Sequence, residues 1–235
     1  MKGETRLSAQ LRFTLSRKIM DSRFSTAYMR SRTAYDHTRY TPRCDVVVDG
    51  FPRSANTYVW YALKASVEPK YVVRGHTHAA STLKAAVAAE KPVMLLVREP
   101  DGAVSSLYQL LNGVSLESCL NSYARFYTQC YSLKRRLYIA EFNDVINDFG
   151  AVSQDFYDRF GLDWPAYHKN EANEFLVNDA IEYANRRRNL GEVREAGIAR
   201  PSAHRKSAEE VMVDLSKREH SARERARRAY HRLVG

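Results

Sequence analysis

The sequence predicts a three-layer α/β/α protein with a central parallel sheet. Three short apolar runs lie at 46–48, 71–73 and 93–97, and the segment LYIAEF at 137–142 has the character of a fourth strand. Continuous apolar runs of this length are typical of strands that are buried on both faces. Segments with helical spacing separate them, and this alternation favours a parallel sheet with right-handed crossovers.

The segments between and after the strands predict the helices. Apolar residues at helical spacing indicate helices in each of them. A proline favours the first turn of a helix, and a glycine often ends one. The expected helices lie at 57–67, at 81–90, from just after Pro100, at 116–130, at 149–160 with Gly161 as the cap, and from Val211 to Tyr230.

The two ends of the chain differ from its middle. Residues 1–43 carry ten Lys/Arg against three Asp/Glu, and residues 186–235 carry fourteen against seven, within a net charge of +10. The first 40 residues show only weak helical spacing, at Leu7, Leu11 and Leu15. We therefore divide the chain into a basic N-terminal arm (1–42), an α/β core (43–170) and a basic helical segment (171–235) that packs on the core or caps it.

Composition restricts the class of protein. With 235 residues and 44% hydrophobic content, the chain is long enough to bury a core as one domain. Cys44, Cys119 and Cys130 follow no metal-ligand or disulfide spacing, so we expect buried free thiols. No apolar stretch approaches the roughly 20 residues that span a bilayer. We expect a cytoplasmic protein.

The first candidate site is the stretch FPRSANT, at 51–57, directly after the first strand. Ligands of open α/β sheets bind at the carboxyl ends of strands, where a helix N-terminus offers free N–H groups to an anion. Arg53 adds a charged fork, and Ser54, Asn56 and Thr57 add neutral hydrogen-bond donors. An ATP-type loop would need lysine where Asn56 stands, which disfavours a nucleoside triphosphate with magnesium.

Two further stretches follow predicted strands. In VREPDGAVSSLY, 97–108, Arg98 ends a strand and Ser106 lies slightly more than two helical turns later, so both could reach one anion. In RGHTH, 74–78, His76 and His78 lack a nearby Cys or carboxylate partner, which disfavours a metal site. A histidine at a strand end close to a phosphate loop is well placed to act as a general base.

Together these stretches resemble the sulfotransferase superfamily that uses 3′-phosphoadenosine 5′-phosphosulfate (PAPS). GFPRSANT is similar to the family's 5′-phosphosulfate loop, although Ala55 replaces the usual glycine. VREPDGAVSSLY is similar to the 3′-phosphate stretch, although Glu99 and Gly102 replace the more usual Asn and Asp. HTH resembles the family's Lys-Thr-His loop, with His76 at the lysine position. The order of the motifs and their strand-end positions agree over about residues 45–165.

The resemblance implies a P-loop-like sulfotransferase topology and specific residue roles. It implies His78 as the base and Arg53 as the cation at the departing phosphate, and it leaves the roles of the two histidines open. EFND, 141–144, resembles the segment whose aromatic residue touches the adenine. A stretch at 199–206 would cover the 3′-phosphate. The residues implied in binding PAPS, or the product 3′-phosphoadenosine 5′-phosphate (PAP), are Arg53, Ser54, Ala55, Asn56, Thr57, Tyr58, Arg98, Ser106, Phe142, Arg200 and Arg205.

The implied function is metal-independent, in-line transfer of a sulfuryl group to a hydroxyl or amine of a small-molecule or carbohydrate acceptor. Two alternatives stay open. The basic ends could instead bind nucleic acid or another polyanion, which predicts affinity that falls steeply with salt. A nucleotide kinase on the same sheet is the other alternative, and it predicts binding of ATP with magnesium. Acceptor identity and oligomeric state do not follow from the sequence.

Overall fold

A four-stranded parallel sheet forms the centre of the protein. The computed structural model describes residues 6–20, 22, 24–32, 38–193 and 206–235. The strands are β1 (Val46–Gly50), β2 (Val73–Gly75), β3 (Val93–Val97) and β4 (Tyr138–Glu141), in the spatial order β2-β1-β3-β4. Each neighbouring pair is parallel, so all four carboxyl ends lie at one edge of the sheet.

Helices cover both faces of this sheet, which confirms the predicted three-layer fold class. The helices, in chain order, are α1 (Arg6–Met20), α2 (Ser25–Arg30), α3 (Asn56–Ser66), α4 (Ala80–Ala88), α5 (Pro100–Leu110), α6 (Leu116–Tyr131), α7 (Phe142–Asn147), α8 (Phe149–Phe160), α9 (Glu171–Arg188), α10 (Ala208–Val211) and α11 (Lys217–Val234).

Alternate residues of β1 belong to two different cores. Val46 and Val48 pack with α3, α8 and α9, whereas Val47 packs with α4, α5, α6 and α11. Because strand side chains alternate between faces, a sheet covered on both sides needs valine at every position of this run. The unbroken VVV run is therefore explained by burial on two sides.

Local signals set most helix ends. Pro100 lies in the first turn of α5, and Gly161 ends α8 with φ 63°, both as predicted. Asp148 and Ser115 accept backbone N–H groups at the starts of α8 and α6. Such caps satisfy N–H groups that the first helical turn leaves unpaired.

Two predicted boundaries were wrong, and the bounds of one helix were not predicted. The second strand lies at 73–75 rather than 71–73, because it begins where its backbone pairs with Val46. The expected last helix is two helices, since Ser216 and Glu219 form a capping box that starts α11 afresh. Helix α9 lies in the segment that was predicted to be helical, but its bounds were not predicted, although Asn170 caps it and Glu171 favours its first turn.

The N-terminal helix α1 contacts the core through the side chains of Gln10 and Arg17. Gln10 accepts the N–H of Ser115 at 2.8 Å and donates to Ser118 at 2.7 Å. Arg17 donates to the carbonyl of His78 at 3.0 Å. Leu7, Leu11 and Leu15, which suggested the helix, are exposed. The division into arm, core and C-terminal segment stays a prediction.

Two composition-based expectations have direct structural counterparts. Cys44, Cys119 and Cys130 are buried free thiols, as predicted. Among the described residues, no helix combines the length and the apolar character that a membrane crossing requires.

Candidate functional site at the carboxyl edge of the sheet

Backbone strain is concentrated in two loops at the carboxyl edge of the sheet. Among the described non-glycine residues, six have positive φ, and four of these are Arg53, Ala55, His76 and His78. The first two lie in the loop after β1, residues 51–55. The others lie in the loop after β2, residues 76–79, which we call the histidine loop. Positive φ costs a residue with a Cβ atom energy, and such residues cluster at functional sites.

Arg53 lies at the centre of the loop after β1. Its Nε donates to Oγ of Ser106 on α5 at 2.9 Å, and its carbonyl accepts from Nη1 of Arg98 at 3.1 Å. The structure therefore brings together the three residues that the sequence placed on two separate motifs. Two guanidinium groups and a hydroxyl at one strand edge form a favourable environment for a phosphate or sulfate.

Two of the predicted neutral hydrogen-bond donors turn into the loop. Ser54 is fully buried, with its hydroxyl 3.4 Å from that of Tyr127. Asn56 donates its amide to the carbonyl of Phe51 at 2.8 Å, and its buried Oδ1 has no hydrogen-bond partner. In this geometry both side chains brace the loop.

The loop leads directly into α3. Ala55 is the N-cap of this helix with φ 65°, and it provides no side-chain cap. The 11-residue helix α3 thus begins at the carboxyl edge of the sheet, and no N-cap side chain occupies the N–H groups of its first turn. Such N–H groups can bind an anion. Thr57 lies in the first turn, with Oγ1 3.3 Å from Nε2 of His76. Tyr58 faces elsewhere and donates to Glu174 at 2.8 Å.

The two histidines face different neighbours. His76 faces the start of α3 through Thr57, whereas Nδ1 of His78 lies 2.8 Å from the carbonyl of Gly50. The two rings are 5.0 Å apart between centroids. Because a carbonyl only accepts, Nδ1 of neutral His78 carries the hydrogen, and Nε2 is the basic nitrogen.

Phe142 lies beside Arg98. The guanidinium carbon of Arg98 is 4.0 Å from the centre of the Phe142 ring, a cation–π contact. Glu99, at a position where the resemblance expects Asn, caps α5 by accepting from the amides of Asp101 and Gly102. Gly102 approaches this cap closely, because a Cβ there would lie 2.7 Å from Oε1 of Glu99.

The proposed cover of the 3′-phosphate falls mainly outside the described residues. Arg200 and Arg205 both lie there. The next residue, Lys206, is held on α5, since its backbone exchanges two hydrogen bonds with the side chain of Gln109, at 2.8 and 3.0 Å. The end of this stretch therefore lies one turn of helix from Ser106.

Helix α11 is anchored on α5 by an ion-pair cluster. Asp101 accepts from Arg223 and from Arg227, the latter at 2.9 Å. Burial raises the pKa of Asp101, but the hydrogen bonds and charges of the two arginines outweigh it, and the net pKa is lowered. The basic C-terminal helix is thus partly neutralised where it meets the core.

Sequence reasoning missed Asp49, the one acidic residue of β1. It is fully buried and contacts the histidine loop. A charged residue directly after an apolar strand run was the available signal, because a buried carboxyl needs a compensating partner. Among the described residues, no group of three His, Cys, Asp or Glu side chains is placed to hold a metal ion.

Comparisons with known proteins find similarity among solved structures. No family model matches the chain. No curated protein matches it either. Among solved structures, the chain is similar to the crystal structure of mouse sulfotransferase SULT7A1 complexed with PAP, at 9% identity and a TM-score of 0.48. That similarity covers 82% of this chain and 86% of the mouse chain.

Proposed function

We propose that this protein transfers a sulfuryl group from PAPS to a hydroxyl or amine of a small-molecule or carbohydrate acceptor. The observation that supports the proposal most is the convergence of Arg53, Arg98 and Ser106 beside two histidines at the carboxyl edge. Arg98 and Ser106 lie 45 and 53 positions after Arg53 in the chain. Their meeting is what the sulfotransferase resemblance requires.

The residues fit an anionic sulfate donor. Arg53 and the N-terminal amides of α3 suit the 5′-phosphosulfate, because a cationic fork and free N–H groups both stabilise negative charge. Arg98 and Ser106 suit the 3′-phosphate. Phe142 offers a flat apolar ring next to them, which suits the adenine. PAPS supplies the activated sulfuryl group, and the described residues bind it and handle the charge and the proton.

His78 is the proposed base, with Nε2 accepting the proton of the acceptor as the new S–O or S–N bond forms. Arg53 stabilises the negative charge that develops on the departing 5′-phosphate as the old S–O bond breaks. His76, across the site at Thr57, faces the phosphosulfate side. This assigns the base role to His78 and an anion-facing role to His76.

Calorimetric titration tests the nucleotide specificity. The purified protein is titrated in parallel with PAP, with ADP and magnesium, and with a short DNA duplex. Selective binding of PAP supports the proposal. Selective binding of the magnesium nucleotide would support the kinase alternative, and binding of the duplex alone would support the polyanion alternative.

Two substitutions separate the proposed roles. His78→Ala should abolish transfer of labelled sulfuryl from PAPS while PAP affinity stays within about twofold, because the base acts on the acceptor. Arg98→Ala should weaken PAP affinity by about ten- to hundredfold, the cost of one charged hydrogen-bond partner. Equal loss of both properties in His78→Ala would identify a structural histidine. Unchanged PAP affinity in Arg98→Ala would contradict the 3′-phosphate assignment.

One observation favours polyanion binding as a second candidate function. A groove of about 890 Å³ lies between α6 and α11, away from the strand-edge loops. Arg125, Arg225, Arg228 and Arg232 line it, and none of the described lining residues is acidic. Such a charge concentration attracts anionic polymers through counterion release.

The double variant Arg225→Gln/Arg228→Gln tests this candidate. Affinity for a fluorescent DNA duplex should fall and depend less steeply on salt, while PAP affinity is unchanged. A matched control, Lys64→Gln, removes one charge on the opposite face of the sheet, where Lys64 lies over Trp60. An equal effect per removed charge would show that only net charge matters.

A further inference from the structure

The buried carboxyl of Asp49 makes most of its hydrogen bonds to the loop after β2 rather than to its own strand. Its Oδ1 accepts the N–H of Gly50 and that of His78, each at 2.9 Å. Its Oδ2 accepts the N–H of Thr77 at 2.9 Å and the Thr77 hydroxyl at 2.6 Å. Three of these four bonds reach the histidine loop, so the carboxyl links the end of β1 to that loop.

Burying the carboxyl of Asp49 costs free energy, and the apolar strand that carries it does not explain why a carboxyl lies there. The residue is fully buried at the end of a valine run, and burial raises its pKa because the charged form loses water. A buried carboxyl without partners would destabilise the fold. The hydrogen bonds from the histidine loop offset that cost.

The histidine loop depends on acceptors that β1 provides. Three successive amides donate to β1: His76 to the carbonyl of Val48 at 3.1 Å, and Thr77 and His78 to the carboxyl of Asp49. Successive N–H groups that point to one side form a concave anion-binding site, which the carboxyl occupies here. His76 and His78 have φ of 63° and 56°, conformations that this arrangement holds against their strain.

The ring of His78 is oriented by the same two residues of β1. Its Nδ1 lies 2.8 Å from the carbonyl of Gly50 and 3.7 Å from Oδ1 of Asp49. Its backbone is fixed by Asp49 at the amide, and by Arg17 of α1 at the carbonyl. Both the position of the ring and its tautomer therefore follow from the Asp49–Gly50 end of β1.

We propose that Asp49 is the positioning residue for His78: it holds the loop so that Nε2 of His78 faces the acceptor. The proposal rests on the proposed function, since it assigns Asp49 an effect on transfer only through His78. Asp49 itself is fully buried, so any effect on the acceptor passes through the loop that it holds.

Asp49→Asn is the decisive substitution. It keeps the size of the side chain but places an NH₂ group where an oxygen accepts two hydrogen bonds. That group would face the amides of Gly50 and His78, or the amide and hydroxyl of Thr77. Because a displacement of about 1 Å at a reacting group costs on the order of 100-fold in rate, we expect kcat for labelled sulfuryl transfer to fall by that order. PAP affinity should stay within about twofold.

Asp45→Asn is the matched control. Asp45 lies just before the same strand, and its Oδ2 accepts the N–H of Val72, which lies just before β2, at 2.7 Å. The same chemical change at the opposite end of β1 should leave kcat within about twofold. Thr77→Val is a milder second variant if Asp49→Asn does not fold, because it removes one of the four hydrogen bonds and keeps the carboxyl.

A double variant tests whether Asp49 acts through His78. In the His78→Ala background, Asp49→Asn should change the residual transfer rate to water by less than about twofold, because residues that act as a unit are not additive. In addition, the ¹⁵N resonances of the His78 ring should lose the Nδ1–H tautomer in Asp49→Asn and keep it in Asp45→Asn. This readout needs neither acceptor nor sulfate donor.

The outcomes separate the two proposals. If wild type neither binds PAP nor transfers sulfuryl, the proposed function fails, and the assignment of Asp49 to catalysis fails with it. If wild type is active and His78→Ala is not, but Asp49→Asn keeps full kcat and an unchanged His78 tautomer, the positioning role alone is overturned. Parallel loss of kcat and PAP affinity in Asp49→Asn would also overturn it, since it would indicate a general structural role.

Discussion

Gly75 is the residue at which the structure predicts the largest effect of a single methyl group. It ends β2, immediately before the histidine loop, with φ of 126°. A Cβ atom built there would lie 1.7 Å from the carbonyl oxygen of Val48 and 2.5 Å from its carbon. The backbone of β2 therefore approaches β1 more closely than any side chain permits, and the loop begins from that approach.

The expected cost of Gly75→Ala has two parts. Positive φ costs a residue with a Cβ atom about 1–3 kcal/mol. Relieving an overlap with backbone atoms costs a further 1–3 kcal/mol, since the strands have to separate. Reduced entropy of the unfolded chain returns about 0.4–1 kcal/mol. The net destabilisation is roughly 1–6 kcal/mol, a large share of the 5–15 kcal/mol that holds a typical protein folded.

Substitutions at two other glycines measure the backbone strain and the steric overlap separately. Gly161 has φ of 63° with no atom within 4 Å of a built Cβ, so Gly161→Ala measures strain alone. Gly50 has a built Cβ 2.4 Å from the carbonyl oxygen of Leu96, and Gly50→Ala measures close approach. Urea unfolding of all three variants, with m-values compared, gives the free energies. A Gly75→Ala variant no less stable than Gly161→Ala would refute the close approach of β2 to β1.

Three further predictions concern residues at or near the site. Ala55→Gly should raise the free energy of unfolding by about 1 kcal/mol, since Ala55 has φ 65° and glycine adopts positive φ without strain. Thermal denaturation measures this change, and a destabilised variant would contradict the loop geometry. Asp101→Asn should destabilise by about 1–3 kcal/mol at pH 7. Because the pKa of Asp101 is lowered in the folded protein, its contribution to stability is complete above the unfolded pKa of about 4 and is lost as the pH falls through the folded pKa. Urea unfolding should therefore show the stability difference between Asp101→Asn and wild type shrinking as the pH is lowered. Burial raises the pKa of Cys119 to about 12, so a disulfide reagent at pH 8 should label none of the three buried thiols before unfolding; rapid labelling of the native protein would contradict their burial.

The sheet could be predicted because a strand that is buried on both faces has a continuous apolar run in its own sequence. Every residue of β1 and of β3 is buried, and valine, leucine and methionine fill most of these positions. The strand that was misplaced, β2, is three residues long and includes Arg74, which is half-buried. Its position is set by pairing with β1 rather than by its own composition, so a local pattern could not locate it.

The candidate site was predictable at the level of motifs but not of contacts. Arg53, Arg98 and Ser106 follow from strand-end positions, because parallel strands bring their carboxyl ends together. The inward turn of Ser54 does not follow, since its neighbour Tyr127 lies 73 residues away. Tyr127 receives the N–H of Phe51 at 3.4 Å and donates to the carbonyl of Leu96 at 2.8 Å, a bridge that only the packed structure reveals.

The shape of the histidine loop is determined outside the loop. Its residues have poor propensities for the conformations they adopt, since a histidine with positive φ is uncommon. What compensates is a row of acceptors on β1: the carbonyl of Val48, then both oxygens of Asp49, then the carbonyl of Gly50 at the ring of His78. A pattern search along RGHTH finds two histidines, but the geometry on which their proposed roles rest is set by β1. For that reason a substitution at Asp49, behind the site, tests the proposed mechanism more sharply than most substitutions in the loop itself.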